Sequence, residues 1–248
     1  MPFEDHFSRL SATYARYRPS APAALFDYLA AQAPGRALAW DCGTGNGQAA
    51  RALGERFDCV VATDASAQQI AQAEPHERVE YRVEPAEAVT LPDASTDLVA
   101  ASVAAHWFDF DPFHREVWRV LKPRGVLAAW VYHLPVITPD VDRVVSTYER
   151  DVVGPYWPER FHYVREHYRT LPFPQPELET PPFVIRTRWT LDQLAGFLAS
   201  WSGSQRYLER VGRHPLSEVW DDLHAAWGDA REQRDIEWPL YLRVARKP

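Results

Sequence analysis

The chain has 248 residues, a length that suits one large domain or one domain carrying a smaller cap. Hydrophobic residues make up 46% and charged residues 25%, which excludes disordered, collagen-like and low-complexity chains. Lys plus Arg counts 27 against 34 for Asp plus Glu, and the resulting net charge of -7 argues against a general nucleic-acid or anionic-membrane binder. A small-molecule partner is therefore expected. No run approaches the ~20 apolar residues of a membrane span, and the opening MPFEDHFSRL has acids where a signal peptide is basic and then apolar. A cytoplasmic protein is expected. Cys42 and Cys59 lie in strand-like contexts without metal-ligand spacing, so neither a disulfide framework nor a metal site is anticipated.

From Ala12 to Gln32 the pattern predicts two helices broken near Pro19, the second placing Leu25 and Leu29 on one face and stopping at Pro34 and Gly35. Arg36 to Cys42 reads as a first strand, Asn46 to Arg56 as a helix, and Phe57 to Asp64 as a second strand. Val79, Tyr81 and Val83 alternate with charged residues in a third, Thr96 to Ala104 forms a fourth and Gly125 to His133 a fifth. The helix before the fifth strand is predicted to be capped by Asp111, to hold Pro112 in its first turn, and to end near Lys122. Strands alternating with helices indicate an α/β fold with a parallel sheet and crossover helices.

Beyond His133 the prolines cluster and a regular alternation no longer fits, which suggests a lid over residues 134–235. Five of the ten tryptophans fall there, at 157, 189, 201, 220 and 227, and a helix from Pro215 to Trp227 presents one apolar face. Such tryptophans are more often core than substrate clamp. Ile236 to Lys247 returns as an apolar strand, expected to pair antiparallel at the sheet edge, where Pro239 is tolerable. The organisation read from these signals is a helical cap over 1–35, a core over 36–133, the lid, and a final strand over 236–248.

The densest chemical signal is Asp41-Cys42-Gly43-Thr44-Gly45-Asn46-Gly47-Gln48, directly after the first strand. Glycines let a backbone turn sharply and approach a ligand closely, and free amides attract anionic groups. The second strand ends in Asp64, 23 residues after Asp41, where an acid can bind both ribose hydroxyls. Glu84-Pro85-Ala86-Glu87 follows the third strand and can receive an adenine ring. Gly45-Asn46-Gly47-Gln48-Ala49-Ala50 also satisfies a dinucleotide fingerprint, which keeps a nicotinamide oxidoreductase as an alternative. Asp41 opposes it, because a carboxylate at the mouth of the loop repels a pyrophosphate and suits a cationic amino-acid moiety.

These residues, with Asp97-Leu98-Val99 leading to His106-Trp107-Phe108 and with Arg119-Val120-Leu121-Lys122-Pro123, resemble the class I S-adenosylmethionine-dependent methyltransferases. The likeness is greatest to the small-molecule branch that includes trans-aconitate methyltransferase-like proteins. It covers roughly residues 36 to 133 and returns in the last strand. Tyr14-x-x-Tyr17-Arg18-Pro19 adds a shorter match, and Arg124-Gly125 stands where the family usually has two glycines. The resemblance implies a Rossmann-like sheet of seven strands, mostly parallel with an antiparallel last strand, plus a helical cap. It implies S-adenosyl-L-methionine as cofactor and methylation of a small molecule, with a carboxylate or hydroxyl oxygen favoured and a metabolite amine as alternative.

Residue by residue, the resemblance sets Asp41 at the methionyl end of the cofactor, with Gly43, Gly45 and Gly47 beneath it. Asp64 takes the ribose hydroxyls, Ala65 lies beside the adenine, and Ala86 and Glu87 border the base. Val103 and His106 line the methionine arm and the mouth of the acceptor pocket, and Tyr14 covers the cofactor. His106 becomes the candidate base or orienting group, and Arg18 and Trp107 the substrate-binding candidates. Each has a plainer reading. The glycines could serve a turn, Asp64 or Glu87 a helix start, His106 a packed loop, and Tyr14, Tyr17 and Arg18 the docking of the N-terminal helix. A cofactor-binding protein without catalysis also remains compatible with the loop.

Overall fold

The structure is a computed structural model that describes residues 17–248. In chain order the elements are α1 (Ala23–Gln32), β1 (Leu38–Cys42), α2 (Gln48–Gly54), β2 (Cys59–Asp64), α3 (Ala67–Ala71), β3 (Val79–Val83) and β4 (Thr96–Ser102). They continue with α4 (Phe110–Val120), β5 (Leu121–Val131), α5 (Pro139–Thr147), α6 (His162–Arg165), β6 (Phe183–Trp189), α7 (Leu191–Ala199), α8 (Ser202–Val211), α9 (Trp220–Trp227) and β7 (Arg234–Arg246). The strands form one seven-stranded sheet in the order β3-β2-β1-β4-β5-β7-β6. β1 to β5 pair in parallel and β7 runs antiparallel to β5, as the resemblance implies.

The chain divides into two compact units. One holds Ser20–Tyr132, His162–Val184 and Pro239–Pro248; the other holds the described residues up to Pro19, His133–Phe161 and Ile185–Trp238. Residues 134–235 are thus shared between them, with 162–184 belonging to the unit that carries β1 to β5.

In that unit, β1 and β4 occupy the middle of the sheet and are buried on both faces, so they read as near-continuous apolar runs. Trp40 is fully buried on β1, and its indole N–H donates to the Thr63 hydroxyl at 2.9 Å, so a large apolar body is buried without orphaning its polar atom. α4 covers the sheet through Phe113, Val117 and Val120, and α1 buries Leu25 and Leu29, the face predicted from their spacing. Asp97 at the start of β4 is buried, yet both its oxygens accept from the Lys122 ammonium at 2.9 Å and one also accepts from the Leu38 amide. Arg119 gathers the 89–93 loop through the Val89 and Leu91 carbonyls and the Asp93 carboxylate. Two of the segments that carry the resemblance therefore tie the scaffold together.

In the other unit the lid tryptophans Trp189, Trp201 and Trp227 are buried. The rings of Trp157 and Phe161 stack at 3.6 Å, and Trp189, Phe197 and Trp238 form a cluster of edge contacts.

Several expectations are corrected. β7 is interior, because β6, which the proline-rich reading passed over, lies outside it. Pro239 is tolerated since it falls between two paired stretches on the β5 side: Val136 exchanges both bonds with Glu237, and the β5 ladder begins again at Tyr241. The N-cap position of α4 is Asp109 instead of Asp111, without a side-chain cap bond, and Pro112 lies in its first turn as predicted. It stops at Val120, so β5 starts at Leu121 and includes Lys122 and Pro123. β4 ends at Ser102, because Val103 leaves the extended region at φ 53°. The expected helix over 215–227 is a short 3-10 turn over Pro215–Glu218 followed by α9, broken at Val219. Among the described residues no helix is long and apolar enough to cross a membrane.

Candidate active site

The carboxyl ends of β1, β2, β3 and β4 converge, as parallel strands in such a sheet must, and the loops that leave them carry the predicted residues. Gly43, Gly45 and Gly47 all have positive φ, at 68°, 57° and 85°. At Gly43 a side chain would also collide, since a Cβ there would lie 2.6 Å from the Ala104 Cβ and 3.0 Å from the Phe108 ring. That close approach seats the loop after β1 directly on the segment after β4. Gly47 is the left-handed cap of α2, and a Cβ would strike the Tyr81 ring at 2.7 Å.

Asp41 is fully buried. Its Oδ2 accepts from the Thr44 hydroxyl at 2.5 Å, and the Ala50 amide faces the carboxylate. Its Oδ1 is buried and has no hydrogen-bond partner among the described residues. Burial, opposed by the Thr44 hydroxyl and the Ala50 amide and reinforced by the neighbouring Asp64 charge, pushes the carboxyl up to about 7. An orphaned acceptor on a buried acid is costly by itself and becomes favourable once a cation or a strong donor approaches.

Asp64 ends β2 and is held rigidly. Its Oδ2 accepts from the Gly45 amide at 2.9 Å and its Oδ1 from the Ser66 amide at 2.8 Å. Ser66, not Asp64, caps α3. A carboxylate has about four acceptor sites, so two amide bonds leave capacity for hydroxyls. Ala65 beside it is exposed. The register places Val83 next to Asp64, and this apolar side chain is 53% exposed, a flat platform that sequence reasoning did not single out. Ala86 is buried, and Glu87 accepts from the Asp109 amide at 2.8 Å, which joins the loop after β3 to the start of α4.

Val103 adopts φ 53°, a genuine outlier for a β-branched residue, and its amide bonds to the Trp130 carbonyl. Such strain persists where the surroundings over-determine the backbone, as at ligand sites. A single 3-10 turn over Ala105–Trp107 follows. It buries His106 and leaves Trp107 48% exposed, with the two rings 4.7 Å apart. The His106 Nδ1 lies 2.7 Å from the hydroxyl of Tyr168, a fully buried residue that the sequence reading did not select.

The fold thus brings Asp41, the three glycines, Asp64, Ala65, Ala86, Glu87, Val103, His106 and Trp107 into one unit. Arg18 belongs to the other unit, where its guanidinium donates to the Ser200 carbonyl at 3.3 Å and Tyr17 lies against Gly196. Tyr14 lies outside the described residues.

Comparison with known proteins agrees with this geometry. The methyltransferase domain family matches residues 40–129, from β1 to β5. A provisionally named methyltransferase of Dictyostelium discoideum is 30% identical over 99% of this chain and 96% of its own length. A malonyl-[acyl-carrier protein] O-methyltransferase of a Marinomonas species is 36% identical over 48% of this chain and 47% of its own. Among solved structures, a provisionally assigned type II methyltransferase from Anaeromyxobacter dehalogenans superposes with a TM-score of 0.85 at 45% identity, covering 92% of this chain and 97% of that one. The chain belongs to the class I S-adenosylmethionine-dependent methyltransferases. The nicotinamide alternative, which rested on the glycine fingerprint and on Asp64 lying 19 residues beyond Gly45, falls with that assignment.

Proposed function

We propose that this methyltransferase binds S-adenosyl-L-methionine at the ends of β1, β2 and β3 and methylates an oxygen of a small molecule, a carboxylate before a hydroxyl. The observation that carries the reading is the buried Asp41 carboxylate with its unsatisfied Oδ1. Its chemistry fits the ammonium of the methionyl arm, since ion pairing in a buried site discharges the cost of a lone acid. Asp64, fixed by the Gly45 and Ser66 amides, suits the ribose hydroxyls, and exposed Val83 suits one face of the adenine. When bound, the cofactor supplies a sulfonium-activated methyl group for in-line displacement.

The chain's own task is then alignment and exclusion of water, which are worth ~7 to 11 kcal/mol of barrier when the reacting atoms are held in near-attack geometry. A carboxylate acceptor is already ionised at neutral pH and needs orientation instead of deprotonation. The oxygen specificity named for the Marinomonas relative supports this choice over an amine. The acidic overall charge supports a small acceptor over nucleic acid.

Calorimetry with S-adenosylhomocysteine tests the cofactor site. The wild type should bind, and Asp64→Ala should weaken binding at least tenfold while the unfolding transition is kept. Unchanged affinity refutes the ribose assignment. A labelled-methyl screen of small acids, phenols and amines tests the acceptor, and transfer confined to amines refutes it.

A further inference from the structure

Segment 162–184 lies in the same unit as the His106 turn and β7, and its course depends on one face of that strand. α6 ends in a Schellman turn: the Tyr168 amide donates to the Tyr163 carbonyl at 2.8 Å and the His167 amide to the Val164 carbonyl at 2.9 Å. The position that such a turn sends into the left-handed region is usually glycine. Here it is His167, at φ 56°, and Tyr168 follows at φ 61°. Two adjacent left-handed residues that carry side chains are strained and persist only where their surroundings fix them.

The fixing comes from β7. Tyr241 and Arg243 are two positions apart on this strand and so share one of its faces. The Tyr241 ring stacks on the His167 imidazole at 3.7 Å with the planes 5° apart. Arg243 Nη1 donates to the Tyr168 carbonyl at 2.7 Å and to the Leu171 carbonyl at 2.6 Å, while its Nε and Nη2 donate to the two oxygens of Glu177. The Phe173 ring lies 4.6 Å from the same guanidinium. A single planar fork therefore binds the chain on both sides of the turn, from residue 168 to residue 177. At the far end of Tyr168 the buried phenol oxygen stands 2.7 Å from His106 Nδ1, and the imidazole also meets the Trp107 ring at 4.7 Å.

We infer that Arg243 is a positioning residue for methyl transfer: by fixing the His167–Tyr168 turn it sets where the Tyr168 phenol stands, and through that contact the orientation of His106. The link holds whichever of the two groups donates, and the phenol acts alongside the other neighbours of the imidazole. Its consequence for catalysis rests on the proposed reading, in which His106 borders the acceptor.

Nitrogen-15 NMR of histidine-labelled protein, free and with S-adenosylhomocysteine, follows the imidazole directly, His106 being found among the nine histidines by its loss in His106→Gln. Arg243→Ala and Tyr168→Phe should each move the His106 signals, and the double variant should show the spectrum of Tyr168→Phe alone. Arg243→Lys returns a cation to the two carbonyls without the fork that grips Glu177, so its shift should be smaller; it carries the same comparison if Arg243→Ala does not fold. With a carboxylic acid probe such as trans-aconitate, Tyr168→Phe should lower kcat about tenfold, the size of one lost hydrogen bond. Arg243→Ala should approach that loss, Arg243→Lys should recover part of it, and the double variant should be no slower than Tyr168→Phe. S-adenosylhomocysteine affinity should stay within about twofold of wild type throughout. His106 signals that ignore Arg243 in a folded variant, additive losses in the double variant, or a fall in S-adenosylhomocysteine affinity instead of kcat overturns the inference. Failure of every acid probe in a protein that binds S-adenosylhomocysteine and shows the coupled His106 shifts would instead overturn the acceptor reading and leave the hold of Arg243 on His106 supported.

Discussion

Asp41 and Asp97 lie on neighbouring parallel strands, three steps apart by register, and both are buried. At the start of β4, Asp97 has a lysine on both oxygens and a main-chain amide besides. At the end of β1, Asp41 accepts from the Thr44 hydroxyl with one oxygen and has the other unmatched among the described residues. The first is a completed tie between β1, β4 and β5; the second is half of an interaction. Motif resemblance marks both aspartates equally, and only the count of satisfied atoms separates scaffold from site.

Replacement of each acid should break that symmetry in opposite ways. Asp41→Asn removes the charge and keeps the shape, so S-adenosylhomocysteine affinity by calorimetry should fall by about 3 kcal/mol, more than a hundredfold, in a protein that remains folded. Asp97→Ala should act on stability instead. It strands the half-exposed Lys122 and the Leu38 amide and should cost about 2 to 3 kcal/mol in urea unfolding, with ligand affinity of the folded protein intact. If Asp97→Ala abolished binding without unfolding, the contrast would be wrong.

The elevated Asp41 carboxyl adds a pH signature. Its folded-state value near 7 exceeds the ordinary aspartate value, so its stability contribution is present at low pH and is lost as pH rises from about 4 to about 7 in the unliganded protein. A cationic ligand reverses this by favouring the ionised form. Affinity for S-adenosylhomocysteine should therefore climb up to about tenfold per pH unit toward 7 and level off above it, with proton release on binding below 7. Asp41→Asn should flatten both curves. The smallest expected effect lies far from the acids: Arg124 sits at φ 64°, in the left-handed region that favours glycine. Arg124→Gly should raise stability by up to about 1 kcal/mol in the same unfolding assay and leave binding alone.

The sheet from β1 to β5 and the glycine loop were legible because their signals are local. Apolar runs, glycines and the acids at strand ends fall within a few residues of each other. β6 was hidden because Pro181 and Pro182 precede it and Arg186 and Arg188 interrupt its apolar residues, although those arginines pair outward with Glu237 and Asp235. Missing β6 also misplaced β7 at the edge. Tyr168 left no local trace: its importance depends on a left-handed backbone fixed by Arg243 and on an imidazole 62 residues earlier. Glu87 was legible as an acid near the loop after β3, but its bond to the Asp109 amide depends on where α4 begins, which the sequence placed two residues late.

The grip of Arg243 on the Tyr168 carbonyl spans 75 residues of chain. During synthesis the glycine loop emerges early and is able to fold against β2 and β4 long before β7 leaves the ribosome. The close packing of the glycine loop on the segment after β4 is thus complete in sequence long before the Arg243 clamp on the Tyr168 backbone can form.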